Sequence, residues 1–200
     1  AGYQAVILPV LGAGRTLISK GFLDAARRHA ERLLTKIRQY DSSGQLAILG
    51  VEPSEIYTLT DEYADLFPGD ADVQGLAQRA WMVDEFLLRP DPEGRPRVEC
   101  LKASLHLPQA SQVLLHGHCY QKARPPAADG LPVGMDASAA LLCFAGYTVN
   151  GIDSGCCGMA GAFGYEEEHA EFSKKIGEMK LMPAIRSSAA STLIAAAGVS

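Results

Sequence analysis

The chain has 200 residues, 48% of them hydrophobic and 20% charged, with 18 basic against 23 acidic side chains and a formal net charge of −5. That is the composition of one ordinary domain, or two small ones sharing a core, and not of a disordered chain. The acidic balance argues against nucleic acid or an anionic membrane surface as the main partner; no apolar run reaches the ~20 residues of a membrane span, and no basic stretch leads into a long apolar one as in a secretion signal.

Residues 5–10 (AVILPV) are an apolar run of strand length. Over 18–38, Ile18, Phe22, Ala26, Ala30, Leu33 and Ile37 recur every three or four positions, a helical stripe that DSSG at 41–44 ends. A second buried strand follows at 46–50 (LAILG). Pro53-Ser54 opens a helix to about Leu66, Pro68-Gly69 breaks it, and Asp70 can cap a third helix with Val73, Leu76, Ala80, Val83 and Leu87 on one face. Residues 90–97 (PDPEGRPR) read as a loop. A strand at 112–115 runs into His116-Gly117-His118-Cys119, and 125–134 is again a loop. A short helix near 136–145 precedes a strand at 147–152 and then a glycine-rich turn, SGCCGMAGAFG, at 154–164. A helix from about Tyr165 is kinked or divided by Pro183, and 192–196 (TLIAA) is a last strand. Strands separated by helices predict an α/β fold of βαβ units with parallel-rich sheets.

The sequence also repeats. Ala1-Gly2-Tyr3 matches Ala145-Gly146-Tyr147, and at the same offset of 144 Gly12-Ala13-Gly14 falls on Cys156-Cys157-Gly158. The pattern predicts two related halves, 1–90 and 98–200, in a chain that begins and ends inside its own repeats. The counterpart of Glu55 would then fall just past Ser200.

The cysteines are Cys100, Cys119, Cys143, Cys156 and Cys157. The number is odd and two are adjacent, which fits a reducing compartment better than a disulfide scaffold. Cys119 and the Cys156-Cys157 pair each close a strand, and the carboxyl ends of parallel strands converge on one sheet edge. Three thiols meeting there suit a soft metal centre, iron–sulfur or zinc. Adjacent thiolates can reach different irons, whereas a single zinc prefers C-x₂₋₄-C spacing. Gly155, Gly158, Gly161 and Gly164 let the backbone wrap and turn N–H groups toward sulfur. The helix from Tyr165 would point its positive end at the same place; Glu166, Glu167 and Glu168 read as its solvated first turn.

Cys119, 36 intervening residues, then Cys156-Cys157-Gly158 resembles the cysteine-rich (CCG) domain of heterodisulfide reductases, glycolate oxidase iron–sulfur subunits and lactate utilisation proteins. The closer resemblance is to the C-terminal region of FAD-linked oxidoreductases of the D-lactate dehydrogenase and glycolate oxidase type. It is carried by LLHGHCYQKA (114–123), DSGCCGMAGAFGYE (153–166), GRTLISKGFL (14–23) and GVEPSEIYTLTDEY (50–63). The resemblance implies a doubled unit and an iron–sulfur cluster, of 4Fe-4S type, held by Cys119, Cys156 and Cys157 beside Gly158, with a further Cys just after Ser200. It implies FAD in another domain or subunit, partners that include that flavin unit and an electron acceptor, and a cytoplasmic place, peripheral at the inner membrane where partners bring it there. The first half departs from the pattern: Gly12-Ala13-Gly14 stands for CCG and Glu55 stands where relatives often carry Cys. That half is expected to hold no cluster.

Cys100 and Cys143 sit among apolar neighbours and read as buried structural thiols. His116 and His118 flank Cys119 and read as hydrogen-bonding neighbours of the site rather than ligands. His29 and His169 have charged neighbours and read as solvent-facing, and His106 belongs to no constellation. Lys122 reads equally as a counter-charge and as a surface lysine. The GAGR turn at 12–15 lacks the lysine and serine of a phosphate loop. No Ser-His-Asp or paired-carboxylate motif is present, so the chain is expected to be the electron-transfer part of an oxidoreductase, not catalytic alone. The alternatives are a docking module with zinc or no metal, and thiol–disulfide chemistry at Cys156-Cys157, which the strain of a vicinal disulfide disfavours.

Overall fold

The computed structural model describes residues 3–9, 11–99, 111–159 and 163–198. The chain divides into two compact units, Ala1–Met82 and Val83–Ser200.

In the first unit, the apolar stripe at 18–38 becomes two helices, α1 (Arg15–Ser19) and α2 (Leu23–Tyr40). Gly21 separates them, with a φ of 76° that side-chain-bearing residues avoid. The stripe packs inward as its spacing requires: Ala26, Ala30, Leu33, Leu34 and Ile37 are buried. β1 (Ile48–Gly50) follows. α3 (Pro53–Thr60) starts with Pro53 at its first positions, where a missing N–H costs nothing, and the Glu52 carboxylate caps the Ser54 N–H at 3.3 Å. α4 is Glu62–Leu66. Asp70 caps α5 (Ala71–Arg79), its Oδ1 accepting from the Asp72 and Val73 amides at 2.9 and 3.1 Å.

The predicted third helix does not run on through Val83 and Leu87. β2 (Ala80–Met82) interrupts it and pairs in parallel with β1, Ile48 opposite Ala80 and Gly50 opposite Met82. Ala80, Trp81 and Met82 suit a strand as well as a helix, and the ladder to β1 decides between them. Residues 3–9 are also not a strand; Val6 and Ile7 are exposed, Ile7 by 90%.

The second unit opens with α6 (Val83–Leu88). Its sheet has three parallel strands in the order β4 (Thr148–Gly151), β3 (Gln112–His116), β5 (Leu193–Ala196). These match the strands expected at 147–152, 112–115 and 192–196. β3 is the middle strand, with Val113 and Leu115 each 2% exposed; burying such side chains contributes roughly 1.5–3 kcal/mol apiece. α7 (Cys119–Lys122) follows β3 directly, and α8 (Gly134–Phe144) leads to β4. After the glycine-rich turn come two 3-10 turns, then α9 (Ala170–Met179) and α10 (Leu181–Ser187). Pro183 is tolerated in α10 because it lies in the first turn. Among the described residues no helix is long and apolar enough to cross a membrane.

Candidate metal centre

The carboxyl ends of β3 and β4 are neighbours because Leu115 pairs with Gly151 and the Ile152 N–H donates to the Leu115 carbonyl at 2.9 Å. The chain leaving β3 is fixed by a reciprocal cap. The Tyr120 N–H donates to His118 Nδ1 at 3.1 Å, and the His118 N–H donates to Gln121 Oε1 at 3.1 Å. This starts α7 at Cys119 and leaves His118 Nδ1 unprotonated.

The chain leaving β4 turns sharply, the Ser154 N–H donating to the Ile152 carbonyl at 2.7 Å. Two residues of the β3 side then hold it. His116 Nδ1 lies 2.9 Å from Ser154 Oγ. Lys122 Nζ donates to the Ser154 carbonyl at 2.6 Å, to Ser154 Oγ at 3.2 Å and to the Gly155 carbonyl at 3.2 Å. Lys122 therefore ties α7 to the backbone just ahead of Cys156, a positional role that its sequence does not distinguish from a surface lysine. Burial, then the nearby Lys122 and His118, push His116 below its ordinary pKa.

The thiols meet across this junction. Cys156 and Cys157 both lie near enough to Cys119 to raise its pKa. Partial burial of the sulfur raises the Cys119 pKa, and the charges of Cys156 and Cys157 raise it further. Cys119 remains exposed as a residue, and Cys156 and Cys157 are half-buried. Among the described residues, no three His, Cys, Asp or Glu side chains are set as a ready metal cage.

Of the four glycines expected to serve the turn, Gly158 does so. Its N–H donates to Cys156 Sγ at 3.3 Å. Its φ is 97°, and a Cβ there would lie 2.2 Å from the Ser173 carbonyl oxygen, so α9 packs directly on the turn. Gly164 instead makes room for Ser173, Gly155 faces open space, and Gly161 lies outside the described residues. The helix expected from Tyr165 begins as a full α-helix only at Ala170, after the 3-10 turns.

The first unit repeats this geometry with different chemistry. Gly14, 144 residues before Gly158, also has a positive φ, 84°. A Cβ on it would meet His29, which is 144 residues before Ser173. The Ala13 N–H donates to Glu55, the Ala13 carbonyl accepts from Tyr63 Oη at 3.0 Å, and His29 Nε2 lies 2.6 Å from the Gly12 carbonyl oxygen. A carboxylate thus covers the turn where the second unit presents sulfur. Burial, with the Glu55 charge, raises the Tyr63 pKa and keeps the phenol protonated.

His29 also bonds the Gly12 carbonyl, in an exposed contact. His169 stacks on Phe163, with centroids 3.9 Å apart, and pairs with Glu166 at 3.0 Å. Cys143 is exposed on α8, not buried. Cys100 and His106 lie outside the described residues. A buried polar chain behind α7 has no counterpart among the sequence expectations. Gln121 Nε2 donates to Ser138 Oγ at 2.9 Å, Ser138 donates to Asp84, and Glu85 Oε1 accepts the Gly134 N–H at 2.9 Å. Asp84 and Glu85 are 5% and 2% exposed, and burial, aided by the Glu85 charge, raises the Asp84 pKa. Two adjacent acids at a helix start look like a solvated turn in sequence, so nothing there signals them.

No family model matches the sequence, and no solved structure matches. Curated relatives are similar over most of the chain. D-2-hydroxyglutarate dehydrogenase of Pantoea ananatis is 25% identical over 187 residues, 92% of this chain and 16% of that protein. The enzyme of that name from Escherichia coli is 26% identical over 89% of this chain and 16% of its own length. A subunit of the anaerobic glycerol-3-phosphate dehydrogenase of Escherichia coli is 26% identical over 82% of this chain and 37% of that polypeptide. The chain thus resembles a minor part of much longer dehydrogenases and of one dehydrogenase subunit.

Proposed function

We propose that this chain is an electron-transfer module of a 2-hydroxy-acid dehydrogenase, and that Cys119, Cys156 and Cys157 hold an iron–sulfur cluster of 4Fe-4S type. The observation that carries the reading is the meeting of Cys119 and Cys156, from the ends of two adjacent parallel strands, with Cys157 beside them. Soft thiolates converging at one sheet edge are a donor set suited to iron–sulfur. The names of the relatives support the class of reaction: one acts on a 2-hydroxy acid, and another is one subunit of a dehydrogenase.

When bound, such a cluster would relay electrons singly between the flavin of a neighbouring domain or subunit and an acceptor. The chain's own residues prepare the place. Lys122 and His116 fix the two ligand-bearing turns against each other. The Gly158 N–H on Cys156 Sγ stabilises negative charge on that sulfur. In the first unit Glu55 occupies the corresponding turn, so that half serves as scaffold and holds no cluster. The competing reading is a docking module with zinc or no metal, favoured by the absence of a ready three-group cage among the described residues.

Anaerobic iron, acid-labile sulfide and zinc analysis of the full-length protein separates the two. The cluster reading expects a Cys156→Ser/Cys157→Ser variant to lose about four irons and matching sulfide. Unchanged iron, with one zinc or no metal lost, leaves the docking role.

A further inference from the structure

In the second unit β4 and β5 are not paired with each other; each pairs in parallel with β3, which lies between them. The offset of 144 places β4 on residues 4–7 and β5 on 49–52, overlapping β1. The first unit therefore carries counterparts of both outer strands, and their carboxyl ends are held together. Ala13, just past the first segment, donates to Glu55, just past β1, and accepts from Tyr63. Ahead of that tie the two segments make no ladder. Residues 3–9 are not in a strand, and among the described residues β1 pairs with β2 alone. Their apolar side chains are left in water: Val6 is 57% exposed, Ile7 90%, Leu49 44% and Val51 74%.

We propose that a further strand of the same polypeptide, lying before residue 1, inserts between residues 3–9 and β1. It runs parallel to both and completes a sheet in the order 3–9, inserted strand, β1, β2. β3 shows what the occupant must be: a short extended segment with apolar side chains in alternation, as Val113 and Leu115 are, hydrogen-bonded along both edges. β3 precedes β4 by 36 residues, counted from Gln112 to its partner Thr148, so the inserted strand belongs at a similar distance before residue 4. This spacing is what commits the site to the same polypeptide. An exposed apolar strand edge is otherwise an aggregation hazard. The inference does not depend on the cluster reading.

Hydrogen exchange of the full-length polypeptide, read by mass spectrometry at two protein concentrations, tests it. Amides of 3–9 should exchange at least about 100-fold more slowly than in an unstructured peptide, as ladder amides that open only with the unit do. The protection should be the same at both concentrations. Exchange at the unstructured rate overturns the proposal, because no strand is then paired there. Protection that falls on dilution also overturns it, because the strand then comes from a second copy or another protein. Ile7→Cys in the full-length protein gives an independent readout: its thiol should alkylate slowly, and alkylation as fast as that of a free thiol would contradict insertion.

Discussion

Gly158 is where the thiol-bearing turn is most sensitive. Its φ of 97° and the 2.2 Å approach of the Ser173 carbonyl to a built Cβ leave no room for alanine. Gly158→Ala is expected to cost at least about 1–3 kcal/mol, the scale of forced backbone strain. Gly155→Ala, with nothing within 4 Å of its Cβ, should change stability by less than about 1 kcal/mol. Urea unfolding of the two variants checks the contrast, and equal losses would contradict it. In the first unit the corresponding dependence is on Glu55. Removing its carboxylate leaves the largely buried Ala13 N–H without its partner, so Glu55→Ala should cost about 1–3 kcal/mol without altering iron content. Loss of iron in that variant would mean that the first turn, too, takes part in metal binding. Asp41 supplies the pH-dependent case. Burial alone would raise its pKa, but the Ser43 hydroxyl, the Leu46 and Gln45 amides and the Arg79 guanidinium together hold it below the ordinary 3.8. A carboxyl lowered in the folded state contributes stability above its unfolded pKa and loses it as pH falls through the folded value. Asp41→Asn should therefore be less stable than the native chain near neutrality, and the gap should close as pH falls below 3.8. A gap independent of pH would contradict this.

At the scale of elements, the sequence is most readable where one short-range signal dominates. β3, β4 and β5 stand out as apolar runs bounded by loops, and α2 by its stripe, whose predicted positions Ala26, Ala30, Leu33 and Ile37 are buried. It is least readable where a distant partner decides. Ala80 and Val83 continue the spacing of Val73 and Leu76, yet the ladder to β1 turns 80–82 into a strand. Residues 5–9 have a strand's composition and no strand pairs with them among the described residues. His29 lies among charged neighbours, but its partner is the carbonyl of Gly12, 17 residues away. The site is legible in outline for the same reason: thiols at the ends of adjacent parallel strands must come close. Its supports, Lys122 on the 154–155 backbone and the buried Asp84–Ser138–Gln121 chain, are not, because each joins polar residues with no shared local pattern.

At the scale of the whole molecule, each of the two units has a turn with a positive-φ glycine at the same offset. At the offset of 144, Gly14 and Gly158 both have a positive φ and lie against His29 and Ser173, while a carboxylate bonds the first turn and thiols lie on the second. In the reading proposed above, the first unit is scaffold and the second carries the metal site; this chain matches 16% to 37% of the length of its dehydrogenase relatives. The most direct test is electron paramagnetic resonance of the anaerobic full-length protein reduced with dithionite, beside a Cys119→Ser variant. The account predicts that a reduced iron–sulfur signal present in the native protein is missing or altered in the variant. Identical iron–sulfur signals in the two proteins would contradict it, because Cys119 would then hold no cluster.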